Sequence, residues 1–200
     1  MSSPLFSTIA GLSSPDDSVR RAAAAEIYRA GRSVAERAVE TWWSDAELSE
    51  LLFGTNPFVT VGLAVERETF ARIHVANGAP RLAEVPPEQD AEEFELEFPE
   101  GILLDVLTTR EPRGSGAVAR YLGRFGEGIQ QVEFRCLDVD SATSILREKF
   151  ELSPVYPAAR PGAGDTRINF FLVPSTGAGR VLIELYETRT DRSASKSASL

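Results

Sequence analysis

The chain has 200 residues, 42% of them hydrophobic, enough for one substantial core with an appendage. Its formal net charge is −9, and Glu84, Glu88, Asp90, Glu92, Glu93, Glu95, Glu97 and Glu100 follow Arg81 with no basic residue among them. So acidic a stretch excludes a phosphate-neutralising nucleic-acid surface, and the single cysteine, Cys136, excludes a disulfide framework or a cysteine zinc site.

No apolar stretch approaches the ~20 residues of a membrane span. The first residues lack the basic-then-apolar pattern of a signal peptide, so a cytoplasmic protein without a membrane partner is expected. Residues 1–56 read as helices only. Ser14-Pro15-Asp16-Asp17 is a helix start: a capping serine, proline at the first helical position, then acids favoured by the helix dipole. Val19, Ala23, Ile27 and Ala30 then recur at helical spacing. Gly31 is expected to end this helix, Ser33 and Glu36 to cap the next, and Ser44 with Glu47 to open another through Leu52. The run "SPDDSVRRAAAAEIYRAG" resembles one unit of a HEAT-type helical repeat, suited to packing or to an interaction arm. Trp42 and Trp43 are expected to bury against the main domain.

From residue 57 the period becomes alternating. "FVTVGLAV" (58–65) places Val59, Val61, Leu63 and Val65 on one face and Thr60, Gly62 and Ala64 on the other. A helix is predicted near 67–77, then strands near 82–85, 93–98 and 102–108. Residues 109–128 form a glycine-rich connection around the short helix "GAVARYLGRF". The order then recurs: a strand over 130–136, a helix over 141–150, and strands near 154–156, 167–173 and 181–187. The small, polar tail, 189–200, is expected to be disordered. The division is thus a helical arm (1–56), a main domain (57–188) built of modules 57–108 and 129–188, and the tail.

The two modules can be laid on each other. "TVGLAV" matches "QVEFRC", pairing Thr60 with Gln131, and "ILLDVL" matches "VLIELY", pairing Asp105 with Glu184. Alternation puts all four on the side away from the apolar row that helices cover. A carboxylate flanked mid-strand by apolar residues is expensive unless partnered. Asp105 lies between Leu103 and Leu107, and Glu184 between Leu182 and Tyr186. They are either part of a polar site or satisfied by Arg135 or Arg167.

This pattern of two βαβββ units resembles the vicinal oxygen chelate superfamily, which includes glyoxalase I, bleomycin-resistance proteins, extradiol dioxygenases and methylmalonyl-CoA epimerase. Within it the likeness is strongest to the epimerase. It covers about 57–188 and is carried by "VGLAV", "EVPPEQ", "AVARYLGRFGEGIQQVEF", "RPGAGDTRINFFLVP" and "GRVLIELYE". The resemblance implies a glyoxalase-like α+β fold, two βαβββ modules forming one concave sheet behind a short all-helical segment. It also implies metal ligands at the four repeat positions, with histidine on both first strands. Thr60 and Gln131 stand where those histidines would be, while Asp105 and Glu184 keep oxygen donors; the only histidine, His74, lies on the first-module helix. The proton-handling carboxylates of the epimerases are matched by Glu84, in "AEVPPEQ", and again by Glu184.

Loss of two imidazoles should greatly lower affinity for zinc or cobalt, so no resident metal is expected. An ion held by Thr60, Asp105, Gln131 and Glu184 would be Mg²⁺, Mn²⁺ or Ca²⁺. Three readings are open. The preferred one is a metal-free binding protein for a small acyl or carboxylate ligand, acyl-CoA included, lined by Thr60, Asp105, Gln131 and Arg135. The second is an epimerase-like isomerase or a lyase using Glu84 and Glu184 as acid and base. The third is an interaction protein acting through the helical arm. Modules of this kind commonly assemble in pairs, so a homodimer is also expected.

Overall fold

The computed structural model describes residues 5–54, 56–175 and 179–191. In chain order its helical beginning comprises α1 (Phe6–Gly11), α2 (Asp17–Ala38), a 3₁₀ turn at Glu40–Ser44 and α3 (Ala46–Leu51). There follow β1 (Val59–Ala64), α4 (Arg67–Ala76), β2 (Ala91–Phe98), β3 (Ile102–Thr109) and α5 (Ala117–Phe125). The second repeat is β4 (Gly128–Arg135), α6 (Val139–Lys149), β5 (Arg160–Pro161), β6 (Arg167–Pro174) and β7 (Arg180–Glu187). The order strand, helix, strands recurs after a helical segment, as the α+β reading requires.

The chain divides into two units. One takes the residues up to Gly31 with Thr60–Gln130; the other takes Arg32–Val59 with the residues from Gln131 onward. The helical segment is therefore shared between them.

In the first unit β1 runs parallel to β3, with Gly62 opposite Asp105, and β2 runs antiparallel to β3, with Glu95 opposite Asp105. Side chains of a strand alternate between faces, so Val61, Leu63, Phe94, Leu96, Leu104 and Val106 share one face, and all are buried. Phe70 and Ile73 of α4 are buried too, and the Phe70 ring meets Phe94 edge-on, 4.7 Å between centroids. Gly31 does not end α2. The helix runs on to Ala38, and a Cβ at Gly31 would lie 2.7 Å from Val61 Cγ1. The glycine is there to let helix and strand approach, a use that its sequence context shares with a helix stop. With the helix continuous, Ser33 is no cap; its hydroxyl accepts from Arg37 one turn on. The strand expected near 82–85 is also absent. Ala83 N donates to Glu93 O at 2.9 Å, after which Pro86 and Pro87 have no N–H to extend a ladder.

In the second unit β4 runs parallel to β7, with Glu133 opposite Glu184, and β6 runs antiparallel to β7, with Phe170 opposite Glu184. The core face carries Val132, Phe134, Cys136, Ile183, Leu185 and Phe171. Trp42 closes it as expected, buried 6.5 Å from Phe171 in a T-shaped pair, while Trp43, 6.3 Å from Phe134, stays half-buried. Such pairs contribute about 0.5–1.5 kcal/mol beyond their buried area. The cap of α3 falls one residue later than predicted, on Asp45, whose side chain accepts from Leu48 N at 2.9 Å while Ser44 turns back to Thr41 O. The strand expected over 154–156 reduces to a bridge between Pro154 and Phe171 and a bond from Val155 N to Phe170 O. At the chain's end Asp191 is buried, and residues 192–200, most of the expected tail, lie outside the described residues. No helix among the described residues is long and apolar enough to cross a membrane.

Candidate functional site

Alternation along β4 sends Gln131, Glu133 and Arg135 to the face opposite Val132, Phe134 and Cys136. Because Glu133 is the registered partner of Glu184, the two carboxyl groups are neighbours on that face. Gln131 joins them. Its Nε2 donates to Glu133 Oε1 at 2.9 Å and to Glu184 Oε2 at 2.7 Å, and all three residues are buried. The opposite placement of the amide would set its oxygen against two carboxyl oxygens, so the network itself fixes which atom is nitrogen. Among the described residues no hydrogen bond reaches Gln131 Oε1.

Neither arginine expected near Glu184 is directed to it. Arg135 makes a two-pronged pair with Asp191, Nε to Oδ2 at 3.0 Å and Nη2 to Oδ1 at 2.7 Å, and lies over the rings of Phe53 and Phe58. Burial alone would raise the Asp191 carboxyl, but hydrogen bonds from Arg135 and Thr188 outweigh it and hold the group below the usual range. Arg167, on the core face, bridges Glu187 at 2.9 Å and Asp140 at 2.6 Å. Cys136 is buried, and burial followed by the nearby Glu187 charge pushes its thiol up, so it packs as an apolar residue and is no nucleophile.

In the first unit Thr60 and Asp105 share the corresponding face, Thr60 buried and Asp105 half-buried. Glu93 and Glu95 of β2 project to the same side by alternation. Burial pushes the Glu93 carboxyl up to about 7, and Glu95 is raised by burial and then by the Glu97 charge. Glu84 is elsewhere: its exposed side chain pairs with Arg81 at 2.5 Å. His74 packs against Phe70 and Phe94, with Nε2 2.8 Å from Pro80 O, on the core side. Among the described residues no three His, Cys, Asp or Glu side chains are grouped to hold a metal ion.

The two units carry the same register. Gly62 opposite Asp105 repeats Glu133 opposite Glu184, so Thr60 corresponds to Gln131, the equivalence read from the sequence repeat. Two such repeats define a glyoxalase-like protein. Comparison with solved structures agrees. Methylmalonyl-CoA epimerase from Mycobacterium tuberculosis is 30% identical, with 68% of this chain and 89% of that one covered and a TM-score of 0.55. A variant of the Streptomyces coelicolor epimerase in complex with 2-nitronate-propionyl-CoA shares the fold at 23% identity, with 67% and 98% covered and a TM-score of 0.52. A methylmalonyl-CoA epimerase in complex with methylmalonyl-CoA and NH4+ shares it at 24%, with 65% and 92% covered and a TM-score of 0.50. No protein-family model and no curated protein matches. This chain belongs to the vicinal oxygen chelate superfamily, and the solved relatives named here are methylmalonyl-CoA epimerases.

Three residues escaped the sequence reading. Glu133 is aligned with Gly62 in the repeat, but only the parallel register shows that it stands beside Glu184. Glu93 lay within the acidic run used only to exclude a nucleic-acid surface, and alternation from Phe94 could have placed it opposite the core. Asp191 carried no signal, because a single acid in a polar tail looks solvated.

Proposed function

We propose that this chain is a metal-free, glyoxalase-like binding domain for a small acyl group carried as a coenzyme A thioester. The observation that carries the reading is the Gln131 amide lodged between Glu133 and Glu184. At the place where the resemblance puts an imidazole ligand, the side chain directs a donor nitrogen at Glu184, and a donor cannot coordinate a cation. Turning the amide to offer its oxygen would break both hydrogen bonds. Thr60, at the equivalent position, offers a hydroxyl, a weak ligand. These residues do not fit a catalytic divalent metal. The thioester part of the reading is supported by the ligands bound to the epimerases that share the fold. Elemental analysis of protein prepared without added metal, then a binding screen of acyl-CoA thioesters and 2-oxo acids, tests it. Stoichiometric zinc, cobalt, nickel or iron would contradict the metal-free part, and a blank screen the ligand.

One observation favours isomerase chemistry as a second reading. Glu93, with its carboxyl raised to about 7, is matched to proton transfer near neutrality, whereas Glu84 is exposed and ion-paired. Incubation of acyl thioesters in deuterated water separates the readings. α-Carbon label incorporated by the protein and lost in Glu93→Gln would favour the isomerase; no label across the panel would favour binding alone.

A further inference from the structure

We infer that the acyl group this domain selects is uncharged and carries a hydrogen-bond donor, as in a 2-hydroxyacyl thioester, and that Glu133 is the positioning residue that sets this choice. The inference rests on the acyl-thioester reading above and narrows it. Gln131 has two amide hydrogens and one carbonyl oxygen. Both hydrogens are committed, one to Glu133 Oε1 at 2.9 Å and one to Glu184 Oε2 at 2.7 Å. A planar amide held in this way turns its oxygen away from both carboxyl groups, and that oxygen has no hydrogen bond among the described residues. What Gln131 offers a ligand is therefore an acceptor only, and an unbonded acceptor on a buried side chain selects a partner that donates.

Charge narrows the choice further. Two carboxyl groups flank the amide, and with either of them ionised a ligand bringing a carboxylate or phosphate to this point meets like-charge repulsion. The phosphates of coenzyme A must then lie away from Gln131, which leaves the acyl end to approach it. Leu182, Tyr186 and Phe170 share the face with Glu184 by strand alternation and register, surroundings suited to a short aliphatic acyl chain. A hydroxyl beside the thioester carbonyl supplies the donor without adding charge. Glu133 matters because Glu184 alone would hold only one amide hydrogen. The freed N–H could then face a ligand, and the site would accept donors and acceptors alike.

The test is calorimetric titration of the full chain with propionyl-CoA, 2-hydroxypropionyl-CoA and methylmalonyl-CoA. Wild type should bind the hydroxyacyl thioester about tenfold more tightly than propionyl-CoA, the increment of one well-made hydrogen bond, and methylmalonyl-CoA most weakly. Glu133→Leu should reduce the hydroxyl preference, because the freed N–H can then bond the bare thioester carbonyl of propionyl-CoA as well. Glu133→Gln, which still offers an oxygen to the Gln131 amide, should retain it, and a purely structural role for Glu133 would not move this ratio. Equal binding of hydroxyacyl and plain thioesters by wild type, or an unchanged preference in Glu133→Leu, would overturn the inference while leaving the thioester reading intact. Failure of all three to bind would overturn that reading and the inference with it. The wild-type ratio decides the matter even where a variant does not fold.

Discussion

Gln131 Nε2 lies 2.7 Å from Glu184 Oε2, and the same nitrogen lies 2.9 Å from Glu133 Oε1, so one amide serves two buried carboxyl groups on adjacent strands. Gln131→Leu keeps roughly the volume but removes that shared donor. The variant should lose about 1–3 kcal/mol of stability, the cost of leaving buried acceptors short of a partner. Urea denaturation measures it; an unchanged midpoint and slope would mean the amide contributes nothing to folding.

Gly31 offers a test of close packing. Alanine inside a helix is normally favoured over glycine by about 1 kcal/mol. Here the added Cβ would sit 2.7 Å from Val61 Cγ1, an atom of a fully buried, β-branched side chain with little room to yield. Overpacking of this kind costs about 1–3 kcal/mol, so Gly31→Ala should be destabilising on balance. A raised melting temperature would show that α2 can shift from β1 at no cost.

Glu93 makes a pH-dependent prediction. Its carboxyl is raised from 4.5 to about 7 in the folded chain by burial, so the folded state holds the proton more tightly than the unfolded state. Between those values the native chain binds more protons, and stability therefore falls as pH rises through the interval. Glu93→Gln should leave stability nearly unchanged at pH 4 and increase it by about 2 kcal/mol at pH 8, allowing for the side chain's partial exposure. A gain that is the same at both pH values would contradict the assignment.

The Asp191 carboxyl has the opposite sign. Held below its ordinary 3.8, it adds stability that is fully present above that value and is lost as pH falls through the lower folded value. Asp191→Ala should cost about 1–2 kcal/mol at neutral pH, since Arg135 keeps some solvent contact, and the difference from wild type should shrink in strong acid. Thermal melts at both pH values check it. An effect that persists undiminished in acid would assign the loss to packing and not to the ion pair.

The fold was legible because its signals are periodic. The alternation in "FVTVGLAV" and "QQVEFRC" identified the buried faces, and the repeat placed Thr60 with Gln131 and Asp105 with Glu184, as the matching strand registers bear out. Local punctuation was less legible. Gly31 read as a helix stop because a glycine at a helix end and one at a helix–strand contact look alike in sequence. Trp42 was recognised as buried, but not the half-exposure of Trp43 or the division that gives residues up to Gly31 to one unit and Arg32–Val59 to the other. At the candidate site the sequence supplied Gln131 and Glu184 but not Glu133. Strand alternation fixes a side chain's face, and only inter-strand register fixes its neighbour.

The central claim, a thioester-binding domain that works without a metal, is tested most directly by calorimetric titration of propionyl-CoA into the protein with and without excess EDTA. Saturable binding with the same affinity is expected in both conditions, with no comparable binding of free coenzyme A. Absence of binding in both conditions, or binding that disappears with the chelator and returns on adding a divalent cation, would contradict it.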